Sequence, residues 1–240
     1  MNDFSDKNEY DFQIDENEEW FLVHSGAATN TNPGSQVYVS IDTTPICPNM
    51  TDNEFRIMAR RLLNWAEKAV DRRIKDLETN NKNTKERMQF WFGKGDDKTR
   101  RYLLSGFERV STTIKSLAPA SLVRSDPNTD RILGCTPNLK DLDREAAHVC
   151  APNTTRKLIS IGMKFCSGLR DEDEHHDSRI STIIHEITHF KDTFASEDHM
   201  YSISTPLALW GQHNPELALT NADSLAGYVL YDEPRYGYSK

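Results

Sequence analysis

A chain of 240 residues has the length for one large domain or two small ones, with ample material for a core. Its 37% apolar and 28% charged content is ordinary for a globular protein in water, and no apolar run approaches the roughly 20 residues that cross a bilayer. A formal net charge of −8 argues against nucleic acid as the natural partner and leaves protein or peptide ligands, basic ones above all.

Residues 1 to about 35 form an acidic lead, expected to be flexible, and residues 36–240 are expected to form the domain. Met1 to Glu19 has neither the basic start nor the apolar stretch of a cleaved secretory signal. Trp20–Val23 reads as a short strand, Thr29 to Gly34 as a turn, and Gln36–Ile41 as a β-branched strand. Thr51 and Glu54 then form a capping box. The helix it opens runs to Leu77, with Phe55, Met58, Leu62, Leu63, Ala66, Val70 and Ile74 on one core-facing stripe.

Asn80 to Thr84 is a polar break, Lys85–Phe92 a short helix, and Gly93-Lys94-Gly95 its stop. Asp96 to about Leu117 reads as a third helix. The turn-rich stretch from Pro119 to Pro152 is expected to hold short strands around Arg131 to Cys135, and Lys157–Phe165 reads as a strand. The acidic run Asp171 to Asp177 is read as a solvated loop rather than a cation site. A helix then starts near Ser178. A last one starts at Asn214-Pro215, an N-cap followed by Pro at the first helical position, and extends to about Leu230. The fold class is α+β, mostly helical, with a small sheet and an edge strand above the Ser178 helix. To such an edge an extended substrate adds as a further strand. Cys47, Cys135, Cys150 and Cys166 form no Cys-x-x-Cys pair, which argues against a structural zinc site; two disulfides and four thiols both fit the spacing.

The Ser178 helix carries His185-Glu186-x-x-His189. Positions i and i+4 share a helix face, so both imidazoles reach one metal ion, and Glu186 stands where a carboxylate takes the proton of a water that zinc has made acidic. Ile183, Ile184, Ile187 and Phe190 make the surrounding surface strongly apolar. Polar groups on such a helix are either paired or used. The pattern points to one catalytic zinc ion and hydrolysis of peptide bonds.

A third ligand should follow His189. A metzincin needs Gly at 192 and His at 195, where this chain has Asp192 and Ala195. A thermolysin-like enzyme supplies Glu about twenty residues on, where Leu209 stands; Glu216 is better explained as favourable charge at a helix N-terminus. Asp192, Glu197, Asp198 and His199 remain. Asp192 is aimed at the adjacent turn, whereas Asp198 has room to swing back.

The run His185 to Phe190, then Ser196-Glu197-Asp198-His199-Met200-Tyr201, then Asn221-Ala222-Asp223 resembles the aspzincins, the deuterolysin and peptidyl-lysine metalloendopeptidase group. Asp177-Ser178-Arg179 and Trp91-Phe92-Gly93 extend the likeness over about residues 36–230. The group's Gly-Thr-x-Asp segment is Ala195-Ser196-Glu197-Asp198 here. The resemblance implies zinc on His185, His189 and Asp198, Glu186 as general base, and Tyr201 as the oxyanion's hydrogen-bond donor. It implies that Asp223 binds the ammonium of a lysine after the scissile bond, although the group's second acidic position is Ala226 here. Asp223 as a structural residue that orients the zinc site is the equal alternative. The relatives' habit of acting outside the cell implies secretion or delivery without a cleaved signal, after a stay in the cytoplasm, and a monomer is expected. The alternative of another class is a delivered toxin or effector module of the same fold that mainly binds a partner protein.

Overall fold

The computed structural model describes residues 44–137 and 145–231. By its contacts the chain divides into a unit of residues 1–44 and a larger one of residues 45–240, and the elements below belong to the larger. The acidic lead, both N-terminal strands and the boundary at residue 35 lie outside the described residues.

Helix α1 (Asp52–Thr79) opens with the expected capping box, Glu54 N–H donating to Thr51 Oγ1 and Glu54 Oε2 accepting from Thr51 N–H. It packs along α3 (Asp97–Ser116) through Phe55, Leu62, Leu63, Ala66, Phe107, Val110 and Ile114. Next in the chain, α2 (Lys82–Phe92) starts three residues before Lys85, because Asn81 accepts a hydrogen bond from Thr84 N–H and caps it. Its stop is Gly93 at φ +62, where a side chain would strike the Gln212 carbonyl 2.6 Å away.

The middle of the chain corrects several expectations. Arg131 to Leu133 is not strand but the end of α4 (Pro127–Leu133), capped by Asp126 with Pro127 at its first position. The sheet holds β1 (Leu122–Arg124), β2 (Ala147–Val149) and β3 (Ile159–Ile161) in the order β1-β3-β2. β3 pairs parallel to β1 and antiparallel to β2. The strand expected over 157–165 therefore shrinks to three residues, ended by Gly162, and α5 (Met163–Ser167) follows at once. β3 is central, and the edge that flanks the histidine helix is β2.

That helix, α6 (Arg179–His189), lies in the core of the larger unit: Ile183, Ile184 and Ile187 are fully buried, and the helix packs against α1, α3 and α9. The single C-terminal helix expected from 214 is instead α8 (Pro215–Leu219) and α9 (Ala222–Leu230), broken at Thr220-Asn221, and α7 (Thr205–His213) precedes them. Trp91 locks α2 to α9, where Gly227 leaves room for its ring; an added Cβ would lie 2.3 Å from it. Arg87, buried, donates to the carbonyls of Tyr228 and Tyr231 at the end of α9. Two disulfides close the framework: Cys47–Cys166 joins the approach to α1 with α5, and Cys135–Cys150 joins the end of α4 with the end of β2. The acidic run is a built turn, with Asp171 paired to Arg61 and Arg179 and Asp173 accepting from the amides of His175 and His176. No helix among the described residues is long and apolar enough to cross a membrane.

Candidate metal centre and cleft

Ser178 caps α6 through a reciprocal bond with Ser181, which fixes the helix start two turns before the histidines. His185 and His189 then rise from one face with their Nε2 atoms 3.1 Å apart. Each ring is held from behind. His185 Nδ1 lies 2.6 Å from Asp223 Oδ1, and His189 Nδ1 lies 2.9 Å from the Ser196 carbonyl oxygen. Both partners are acceptors, so both Nδ1 atoms carry a proton and the two Nε2 atoms are the ones that converge.

Asp198 completes the triangle, its Oδ1 3.3 Å from His185 Nε2 and 3.4 Å from His189 Nε2. A tetrahedron with bonds of about 2.0–2.1 Å has edges of roughly 3.3–3.4 Å, so these three donor atoms fit the spacing of a zinc ion's ligands. Two imidazoles and one carboxylate are also the donor set of an open, catalytic site rather than a closed, structural one. Among the described residues this is the one group of His, Cys, Asp or Glu side chains able to hold a metal.

Asp198 reaches this place because its loop is fastened on both sides. Ala195 takes a left-handed turn at φ +50, where the resembled segment has Gly. Ser196 then bonds back to α6, its N–H to the Thr188 carbonyl and its Oγ to Thr188 Oγ1. Glu197 bridges Asn221, with Glu197 N–H donating to the Thr220 carbonyl and Ala222 N–H to the Glu197 carbonyl. The buried Asn221 side chain accepts from the amides of His199 and Met200 and donates to the Met200 carbonyl. Asn221 is thus a clamp for the third arm. The sequence marked Asn221 only as part of the Asn221-Ala222-Asp223 run that carries the resemblance, with no role of its own.

The charges follow from burial and neighbours. Burial disfavours the His185 cation, yet the carboxylates of Asp223, Glu186 and Asp198 outweigh it and raise the ring to about 9. Glu186 is nearly fully buried, which pushes its carboxyl up against the opposing pull of the two histidines. Burial would also raise Asp198, but the hydrogen bond from His189 and the charge of His185 hold it below the usual carboxylate range. Tyr201 stands at the rim, 62% exposed, with its hydroxyl pushed up to about 12 by partial burial and the nearby Asp198 carboxylate. A phenol this reluctant to ionise remains a donor.

These groups open into a cleft of about 530 Å³ between the Glu145–Val149 segment and α6. Glu186, Asp198, Tyr201 and Asp223 all line it. The other candidates for a third ligand turn away: Asp192 pairs with Lys157 at 2.7 Å, His199 lies 3.2 Å from Thr220 Oγ1, and Glu216 pairs with Lys94. Asp223 has each oxygen engaged, one by His185 and the other by Ser202 N–H at 2.7 Å.

A family model described as lysine-specific metallo-endopeptidase, the aspzincins, matches residues 77–230. The chain is similar in structure to a zinc peptidase from Grifola frondosa, with a TM-score of 0.55 and 17% identity, over 75% of this chain and 96% of that one. At that identity the likeness speaks for the fold. Among curated proteins none matches. Neither finding lends support to the alternative of a partner-binding module.

Proposed function

We propose, for a chain that belongs to the aspzincin family of zinc metallo-endopeptidases, that one zinc ion is held by His185, His189 and Asp198 and that hydrolysis takes place in the cleft above them. The observation that carries this is the convergence of two Nε2 atoms and one carboxylate oxygen at 3.1–3.4 Å, with both Nδ1 atoms already tied to acceptors. Zinc, when bound, polarises the scissile carbonyl and makes water acidic enough to attack near neutral pH.

The protein's own groups do the rest. Glu186, 3.9 Å from His185 Nε2, takes a proton from the attacking water and returns it to the leaving amine, a task suited to a carboxylate whose affinity for protons burial has raised. Tyr201 donates its hydroxyl to the oxygen that gains charge in the transition state. Asp223 fixes His185 in the tautomer and orientation that point Nε2 into the site. The extended substrate pairs with the β2 edge, which borders the cleft. A preference for lysine or another basic residue after the scissile bond agrees with the family's description and with the acidic wall of the cleft. Two disulfides suit a protein that works outside the producing cell.

Zinc content and casein cleavage, measured with and without chelator on the wild type and Glu186→Gln, test this reading. The wild type should bind one equivalent of zinc and lose cleavage to chelation. Glu186→Gln should bind the same zinc and cleave at least about 100-fold more slowly. Cleavage that survives in that variant refutes the assignment of the base.

A further inference from the structure

Asp177 belongs to the cleft, yet the mechanism above gives it no task. It lies immediately before the cap of α6, half-buried, and one of its oxygens accepts the Ile203 N–H at 2.8 Å. The preceding amide, Ser202 N–H, donates to Asp223 Oδ2. Successive amides of one loop, just past Tyr201, therefore hold two carboxylates together on one wall of the cleft. The two differ in what remains available. Each Asp223 oxygen already accepts one bond, from His185 or from Ser202, whereas Asp177 Oδ2 has no hydrogen-bond or ion-pair partner among the described residues.

This wall lacks its cation. Burial and the Asp223 charge raise the carboxyl of Asp177, while the Ile203 N–H, Lys164 and His185 pull the other way. Among the described residues, no lysine or arginine forms an ion pair with either carboxylate. Lys164, on α5, is exposed and lines the same cleft, close enough to be felt but not paired. Ala226, where the resembled lysine-specific branch has its second acid, is fully buried in α9 and lines no part of the cleft.

We propose that Asp177 is the specificity-determining carboxylate of this protein: its unpaired oxygen receives the ammonium of a lysine-like side chain after the scissile bond, with Asp223 adding charge from behind. The assignment rests on the proposed peptidase reading and makes Asp177 the second acid that Ala226 does not supply. Lys164 competes for the same carboxylate, so it tempers the preference.

The test uses the zinc-loaded full chain and two peptides that differ only in lysine or norleucine after the scissile bond. Asp177→Asn keeps an oxygen for Ile203 N–H and removes only the charge. The lysine-to-norleucine ratio of kcat/KM should fall about 100-fold in Asp177→Asn, chiefly through KM, as expected for losing a charged hydrogen bond in a half-buried site. Lys164→Met should raise the ratio. A ratio in Asp177→Asn equal to that of the wild type overturns the proposal; so does a fall in Lys164→Met, which decides the matter should the first variant not fold. In parallel, calorimetry compares lysinamide and norleucinamide binding to Glu186→Gln and to Glu186→Gln/Asp177→Asn. Asp177-dependent preference for lysinamide without any wild-type cleavage would uphold the pocket and sink the peptidase reading. Cleavage without discrimination between the two residues would do the reverse.

Discussion

Replacing Asp223 by Ala isolates the support behind the proposed metal ligands. The Asp223–His185 bond is short, 2.6 Å, and both side chains are only 12% exposed. A charge-assisted bond of this kind is worth about 1.5–3 kcal/mol. Loss of a carboxylate behind a ligating histidine weakens metal affinity about 10–100-fold, or roughly 1.4–2.7 kcal/mol, so the two routes to the magnitude agree. Asp223→Ala also strands the Ser202 amide and lets the His185 ring turn, which places the expected loss near the upper end. Asp223→Asn retains an acceptor for Nδ1–H, and about tenfold is expected. Competition against a chromophoric chelator reads zinc affinity directly, with Glu186→Gln as the variant whose affinity should not move. An Asp223→Ala protein that binds zinc within about twofold of the wild type would refute the orienting role and return Asp223 to the substrate pocket.

Ala195 sits at φ +50, a conformation that costs an L-residue about 1–2 kcal/mol, so Ala195→Gly should gain roughly 0.5–1 kcal/mol in urea unfolding after the added chain entropy is subtracted; a loss would show that the turn is unstrained. His148 is held between Glu145 at 2.8 Å and Asp130 at 2.9 Å; burial opposes its charge, but the two carboxylates raise it to about 9. Its folded pKa exceeds the unfolded value, so the stabilisation is complete below about pH 6.5 and is lost as pH rises through about 9. After allowance for solvent screening it is worth roughly 1–3 kcal/mol, and melting between pH 7 and 10 should fall more steeply in the wild type than in His148→Gln. Chain entropy ranks the disulfides: Cys47–Cys166 spans 119 residues and Cys135–Cys150 spans 15, so removing the first should cost about 5 kcal/mol and the second about 3. Equal losses in denaturant would contradict that ranking.

The histidine helix was legible because its information is local: a serine cap, an apolar stripe and two histidines four apart. Its partners carry no local signal: Asp223, reached only through the resemblance, meets His185 across 38 residues, and Ile203 meets Asp177 across 26. Short elements also escaped. Asp126-Pro127 carries the same kind of signal as Asn214-Pro215, but only the second was followed by enough apolar periodicity to read as a helix. The break at Thr220-Asn221 is hidden in sequence, since apolar residues continue through it; what interrupts the helix is the tertiary demand on Asn221 to hold the Asp198 loop. The wide strand expected at 157–165 failed at Gly162, whose place against the Glu145 carbonyl leaves no room for a side chain, with 2.2 Å to an added Cβ.

The proposed ligands differ in how firmly the molecule holds them. His185 and His189 belong to a helix wedged among α1, α3 and α9, whereas Asp198 rides on a loop held by hydrogen bonds alone, through Ser196 to α6 and through Asn221 and the Glu197 bridge on the other side. Metal exchange would then follow the opening of that loop, a small local event, and not the unfolding of the core. Zinc off-rates should track amide hydrogen exchange at His199 and Met200, and a substitution at Asn221 should speed both together while the global midpoint shifts far less. The ion's residence time, on this view, is a property of one asparagine on a helix that never touches it.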